Sequence, residues 1–208
     1  MVTKRLKAIA DLVPHNVSVI DIGTDHAYLP IYLYQKNITK NIAASDISPK
    51  VLASSLENLK KYYLDTQIPL ILSNGFDNIT KQYDVAIIAG MGTHTIKSIL
   101  SNPNIPDTLI IQSNNDHYEL RLFLNSLNYK IKKDIAIKDK KHYYVIIMYQ
   151  KGKETLTKSE LLFGKSANLE YYNYLLNKYQ NIYNKSHNAK YLEYINILKS
   201  IIEKIPDC

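Results

Sequence analysis

The 208-residue sequence holds one cysteine (Cys208), no tryptophan, two arginines and no long apolar run. A lone thiol excludes both an intramolecular disulfide framework and a cysteine-based zinc cluster. The longest apolar stretches, such as Val85–Met91 and Tyr143–Tyr149, fall far short of the roughly 18 residues that cross a bilayer. The opening MVTKRLKAIADLVPHN starts basic but meets Asp11 and Pro14 before any sustained apolar run, which argues against a signal peptide. His94 and His117 have no partner at ligand spacing, so no metal is expected. These absences point to a soluble, cytoplasmic protein with no membrane role and no evident obligate protein partner.

What is present is a basic excess: 26 Lys and Arg against 19 Asp and Glu, a formal charge of +7. That balance favours an anionic partner such as nucleic acid. The excess is shared between both parts of the chain, 17 basic against 13 acidic residues over 1–150 and 9 against 6 over 151–208. Neither part is a basic tail. Lysine, asparagine, isoleucine and tyrosine are abundant throughout, the bias of an AT-rich genome, so charge alone does not settle the partner.

Residues 1–150 alternate short apolar runs with longer amphipathic ones. Strands are expected at Val17–Ile22, Asn41–Asp46, Pro69–Ser73, Asp84–Ala89, Asp107–Gln112, Tyr129–Ile137 and Tyr143–Gln150. Helices are expected at Tyr28–Gln35, Pro49–Tyr63, Thr93–Ser101 and Asp116–Leu127. Ser48 suits an N-cap and Pro49 a first helical residue. Such alternation predicts an α/β fold with a parallel sheet covered on both faces. The last two strands follow each other across the turn-like Lys138–Lys141, which predicts an antiparallel pair at one edge. Beyond Lys151 strand signals vanish. Tyr172, Leu176, Tyr179 and Tyr183, then Tyr191, Ile195, Leu198 and Ile202, repeat at 4, 3, 4 and predict a coiled-coil-like helical hairpin turning near Lys185–Asn188. The expected division is a Rossmann-like domain over 1–150 and a helical hairpin over 151–208.

The first informative motif is Val19-Ile20-Asp21-Ile22-Gly23-Thr24-Asp25-His26-Ala27-Tyr28. An apolar strand ends in Asp-Ile-Gly and turns into a helix, where Gly23 lets backbone approach a ligand at the carboxyl edge of the sheet. Asp21 can accept from a ligand ammonium or hydroxyl; a capping Asp beside a turn glycine would look the same. Asp46 then ends the second strand, the place where doubly wound folds hold a ribose through its hydroxyls, although it too could serve as a helix cap. Ser73-Asn74-Gly75-Phe76 follows the third strand and could edge an adenine ring or form an ordinary turn. Ala89-Gly90-Met91-Gly92 again opens a strand through glycines into a helix. Neither G-x-G-x-x-G nor a P-loop is present, so no phosphate cradle is written here. Three loops at consecutive strand ends, acidic at the first two, fit a nucleoside carrying an amino-acid tail and no phosphate, which is S-adenosylmethionine.

The runs Asp21–Pro30 (DIGTDHAYLP), Ile88–Gly92 (IAGMG) and Ile110–Asn114 (IIQSN), in this order and spacing, resemble the bacterial TrmK family of tRNA adenine-N1 methyltransferases. The likeness includes an N-terminal helix bearing Arg5-Leu6 and a C-terminal helical hairpin, and so covers essentially the whole chain. It implies a class I Rossmann-like methyltransferase domain with a mostly parallel seven-stranded sheet. It also implies methyl transfer from S-adenosylmethionine, leaving S-adenosylhomocysteine, to N1 of adenine 22 in the tRNA D-arm. Three places depart from the family pattern: Gly-Met-Gly-Thr at 90–93 lacks a third glycine, Ser-Asn-Gly-Phe stands at 73–76 for Gly-Asp-Gly-Leu, and Gln-Ser-Asn at 112–114 for Gln-Pro-Asn. Asn74 is thereby a neutral amide where the family has an acid.

Carried onto this sequence, the cofactor is expected at Asp21, Gly23, Thr24 and His26 of the first loop and at Asp46 and Ile47 of the second. Asn74, Gly75, Ala89, Gly90 and Met91 complete its expected surroundings. Adenine N1 has its own in-plane lone pair, so catalysis is mostly positioning. Asp25 is the expected group for the developing cation or the N6 proton, unless it caps a helix or binds the cofactor's ammonium. Tyr28 could stack on the extruded base or belong to the core. Asn114 could bond the adenine edge or simply form a turn. Arg5, Lys133, Lys140 and Lys141 are expected on tRNA phosphates, with the hairpin as a tRNA-binding appendage. The rival readings are a methyltransferase of this fold acting on another RNA or a small molecule, and a non-catalytic RNA-binding module.

Overall fold

A computed structural model describes residues 2–205, so Cys208 lies outside the described residues. Among these the strands are β1 (Val19–Ile22), β2 (Ile42–Asp46), β3 (Leu70–Leu72), β4 (Val85–Met91), β5 (Thr108–Ser113), β6 (Tyr129–Asp139) and β7 (His142–Lys151). The helices are α1 (Lys4–Ala10), α2 (Tyr28–Gln35), α3 (Pro49–Lys61), α4 (Thr93–Ile99), α5 (His117–Ser126), α6 (Lys158–Phe163), α7 (Leu169–Ser186) and α8 (Ala189–Ile202). The expected elements are all there. Ser48 caps α3 by accepting from the Val51 amide, with Pro49 in its first turn, as the sequence predicts.

One seven-stranded sheet runs in the order β3-β2-β1-β4-β5-β7-β6. The first five strands pair in parallel, and β7 is antiparallel to both β5 and β6. The strand that comes last in sequence sits inside and β6 takes the edge. Composition explains this: Val145, Ile146 and Ile147 of β7 are buried, whereas β6 presents Lys132 and Lys133 to solvent, a charge pattern suited to an edge. β6 and β7 join through the two-residue turn Lys140–Lys141, with Lys140 in the left-handed region at φ 57°.

Register fixes the site. Ile22 pairs with Ser45 on one side and Ile88 on the other, and Ala89 pairs with Gln112. Gly23, Asp46, Gly90 and Ser113 therefore emerge together at the carboxyl edge, where open α/β sheets bind ligands. Both sheet faces are covered, which is why the parallel strands read as unbroken apolar runs. Val19, Ile87, Ile110 and Ile146 pack on α1–α3 through Ile9, Leu29, Leu33 and Leu59. Ile20, Ile88, Ile111 and Ile147 face α4 and α5 through Ile96, Leu120 and Leu124.

The C-terminal helices belong to that second face. Phe163, Tyr171, Tyr172, Leu175 and Leu198 share one buried cluster with the sheet. α6 starts with a capping box made by Thr157 and Glu160, which reciprocally satisfies two free amides at its N-terminus. His187 ends α7 in the left-handed region and Asn188 caps α8, so the hairpin turns where its polar stretch predicts. None of the described helices is long and apolar enough to cross a membrane.

Candidate active site

At the end of β1, Asp21 is buried and accepts a 2.6 Å hydrogen bond from the Thr24 hydroxyl. Burial pushes its carboxyl up from 3.8 to about 6; the Thr24 bond opposes this and the Asp46 charge adds to it. The amides of Gly23 and Thr24 both donate to the Ser45 carbonyl, at 2.8 and 3.0 Å. This loop therefore offers a ligand a carboxylate and no cradle of free N–H groups, the donor set for an ammonium rather than a phosphate. Gly23 sits at φ +75°, a backbone conformation that favours glycine, and a Cβ there would push aside the Met91 methyl, 2.0 Å away.

At the end of β2, one oxygen of Asp46 accepts from the Ser48 amide at 2.8 Å, leaving the other open to a diol. Ile47 beside it is 66% exposed, an apolar floor with no protein cover. Beyond β3, Ser73 bonds the Gly75 carbonyl and Asn74 donates to Asp77, so this loop is braced internally while Asn74 stays on the surface. Two carboxylates, an uncovered apolar residue and a glycine loop are the chemistry an S-adenosyl group needs: ammonium, ribose and adenine met in turn. The residues present fit that cofactor.

The β4 end carries a bulge between Ala89 and Met91 that puts Gly90 out of register at φ +80°. Across it, Asn114 donates from its amide nitrogen to the Gly90 carbonyl at 2.7 Å and from its backbone to Met91 at 2.9 Å. Asn114 is thus held beside Ala89, Gly90 and Met91 at the crevice, its side chain partly committed and still exposed. Asn115 caps α4 from outside by accepting the Thr93 amide at 2.9 Å. His117 opens α5, and burial lowers its pKa.

Asp25, His26 and Ala27 form a single 3-10 turn in which His26 and Ala27 both adopt left-handed backbone, φ 59° and 56°. Two such residues in succession cost about 1–3 kcal/mol each, strain of the kind that gathers at ligand sites. The His26 ring is tied on one side to Ser54 of α3 (2.7 Å) and on the other to Asp25 (3.3 Å). His26 therefore acts as a strut between α3 and the loop. Asp25 caps no helix, and its side chain is 84% exposed beside the crevice. Tyr28 is 43% exposed with its ring 5.7 Å from that of His26, which removes the core alternative for it.

The expected phosphate-binding residues separate. Lys140 and Lys141 stand at the β6–β7 tip, which overhangs the carboxyl edge because β7 starts there and runs back along β5. Lys133 lies seven residues back along β6, about 23 Å away at strand spacing. Lys138 is paired with Glu170 of α7 at 2.8 Å. Arg5 is not on an outer face: its guanidinium donates to the Gln112 side chain at 2.7 Å, inside the crevice. Gln112 was not among the expected residues. The one signal for it is an amide interrupting the apolar run Leu109–Ile111 at a strand end.

A concavity of about 860 Å³ lies at the opposite edge of the sheet between Phe76–Asp84 and Asn102–Thr108. It holds neither the glycine loops nor the acidic strand ends. Among the described residues no group of three or more His, Cys, Asp or Glu could hold a metal ion.

Comparison with known proteins agrees with this geometry. A methyltransferase-domain family model matches residues 2–147. The chain is 32% identical over 85% of its length to a Mycoplasma genitalium protein named "Putative tRNA methyltransferase", covering 87% of that protein. It is 28% identical to the tRNA (adenine(22)-N(1))-methyltransferase of Bacillus subtilis over 72% of this chain and 65% of that one. The solved structure of Mycoplasma capricolum TrmK in complex with S-adenosylhomocysteine superposes with a TM-score of 0.85 at 37% identity, covering 99% of this chain and all of the other.

Proposed function

The chain belongs to the methyltransferase-domain family and, within it, to the TrmK tRNA methyltransferases, and from that premise we propose how its residues divide the work. The reaction is transfer of a methyl group from S-adenosylmethionine to N1 of adenine 22 in tRNA. One observation supports it above the rest: two carboxylates, Asp21 and Asp46, end adjacent strands around a glycine loop whose amides are already bonded to Ser45. A tRNA substrate agrees with the cytoplasmic location expected from the sequence.

When bound, S-adenosylmethionine would supply a sulfonium methyl carbon for in-line attack by the N1 lone pair, the C–S bond breaking as S-adenosylhomocysteine leaves. Asp21 holds the cofactor's ammonium, Asp46 its ribose hydroxyls, and Ile47 with Asn74 and Gly75 its adenine. Thr24 steadies the Asp21 carboxylate, and Gly90, between Ala89 and Met91, brings bare backbone to the reacting centre. Tyr28 stacks on the extruded target base. Asp25, steadied by His26, faces the positive charge that appears on the purine as the C–N1 bond forms, and it is placed to take a proton from N6. A charge-complementary group of this kind acts mainly on the transition state. Taking adenine out of its stack costs a few kcal/mol, which phosphate contacts must offset.

Those contacts are proposed for Lys140 and Lys141 at the overhanging tip, for Lys133 farther along the same edge strand, and for the α7–α8 hairpin as an appendage. Deleting the hairpin would expose Phe163, Tyr172 and Leu198, so surface charge is the cleaner variable. Lys140→Glu with Lys141→Glu, or Lys185→Glu with Lys190→Glu, should raise the tRNA Kd about tenfold. Each pair should also flatten the salt dependence by one or two phosphate contacts. Cofactor Kd should stay within about twofold by calorimetry. Unchanged tRNA affinity in both double variants removes these lysines from the interface.

The deciding experiment is incubation of the protein with methyl-labelled cofactor and tRNA, followed by mass mapping of nucleosides. One N1-methyladenosine at position 22 is expected, and none when that position carries guanine. Equal labelling of the guanine-bearing tRNA would refute the assignment and favour a methyltransferase with another target.

A further inference from the structure

At the floor of the crevice three side chains, one from α1 and two from the end of β5, form one hydrogen-bonded line. Arg5 of α1 donates from Nη1 to Oε1 of Gln112 (2.7 Å). Gln112, almost wholly buried in β5, donates from Nε2 to the Ser113 carbonyl (2.9 Å) and to Oδ1 of Asn114 (3.1 Å). Asn114 in turn donates from Nδ2 to the Gly90 carbonyl (2.7 Å). Arg5 is itself held: its backbone amide donates to Asp139 at 3.2 Å, and its guanidinium stands 5.5 Å from the centre of the Tyr144 ring.

The polarity of this line has one solution. A guanidinium only donates, so Gln112 must turn its oxygen toward Arg5 and its nitrogen toward Asn114. Asn114 must then turn its oxygen toward Gln112 and its nitrogen toward Gly90. The Ser113 and Gly90 carbonyls favour the same orientation, but without Arg5 the buried Gln112 oxygen has no donor, and Gln112 no longer sits firmly enough to hold Asn114. With Arg5 present, the exposed side chain at the reaction centre presents an oxygen that uses one lone pair internally and keeps the other free.

We propose that Arg5 is a positioning residue which, through Gln112, orients the Asn114 carboxamide so that Oδ1 accepts from the exocyclic amine of the target base. The inference rests on the adenine-N1 reading and deepens it by naming what selects a 6-aminopurine. An acceptor on N6–H draws electron density toward N1, which sharpens the nucleophile, and it stabilises the amidinium-like cation once N1 carries the methyl. A 6-oxopurine would instead place oxygen against oxygen. The site would then reject it even if it were extruded.

The test compares two tRNAs, one with adenine at the target and one with unsubstituted purine, which keeps the N1 lone pair but lacks the amine. Wild-type protein should prefer adenine at least tenfold in kcat/KM, the scale of one such hydrogen bond. Arg5→Met should lower kcat on adenine about tenfold, leave tRNA KM and cofactor Kd within about threefold, and collapse the adenine-to-purine ratio toward one. Arg5→Lys, whose ammonium can still donate to Gln112, should restore part of the ratio. Gln112→Met, which leaves α1 in place, should reproduce the collapse even if Arg5→Met folds poorly. A preserved ratio in Arg5→Met and Gln112→Met, or a loss confined to tRNA KM, overturns the relay. A wild type that methylates neither RNA overturns the enzyme reading itself, so the two failures are distinct.

Discussion

Asp134→Ala is expected to cost about 3–5 kcal/mol of stability, because it leaves the Arg121 guanidinium buried without a countercharge. Both side chains are 1% exposed and lie 3.3 Å apart. The same carboxylate accepts the Lys165 amide at 2.9 Å, and Arg121 also donates to the Leu161 carbonyl at 3.2 Å. One ion pair thus fastens α5, β6 and the segment from α6 to α7. Gly164 lies against it so closely that a Cβ would fall 2.2 Å from the carboxylate oxygen. For a chain of this size the loss corresponds to a fall of about 6–20 °C in melting temperature. Replacing both partners, Arg121→Met with Asp134→Leu, should recover most of the loss, since the pair's desolvation penalty disappears along with its attraction. A melting temperature for Asp134→Ala within about 2 °C of the parent would sink this account.

The second large effect concerns the cofactor. Burial holds the Asp21 carboxyl near 6, so in the free protein it is mostly protonated below that pH. An ammonium binds the ionised form. Below about pH 6 binding must therefore expel a proton, and cofactor affinity should fall by up to tenfold for each further pH unit. Above pH 7 it should be flat. Asp21→Asn removes both the charge and the titration: affinity drops about 10–100-fold at neutral pH, the range for a charge-assisted bond, and the acid limb vanishes. Calorimetry between pH 5 and 8 in two buffers of different ionisation enthalpy would read the proton release directly. An acid limb that persists in Asp21→Asn would assign the titration to another group.

Most of the architecture can be read from local pattern. Ser48-Pro49 announces α3, the apolar runs mark each strand to within about two residues, and the acids at 21 and 46 mark the carboxyl edge because burial and strand end coincide there. What cannot be read locally depends on partners far away in sequence. Arg121 and Asp134 look like ordinary surface charges until α5 and β6 come together. Arg5 looks like one more cation in a basic N-terminus, and only the packing of α1 carries it to Gln112. His26 and Ala27 carry no turn signature, because non-glycine residues are seldom left-handed; their conformation is imposed by Ser54 and Asn58 of α3, which hold the histidine ring and its carbonyl. The interior place of β7 follows from comparing it with β6, which neither strand reveals alone.

The amides of Gly23 and Thr24 donate to Ser45, that of Ser48 to Asp46, and that of Thr93 to Asn115. These four rim amides have already found acceptors within the fold, and two carboxylates stand beside them. Adenine and ribose alone do not separate the methyl donor from ATP, which carries both. Here the discrimination comes from what the rim withholds: polyphosphate would meet repulsion where a zwitterionic amino-acid tail meets a counterion, so the commonest adenine nucleotide should compete poorly for the crevice.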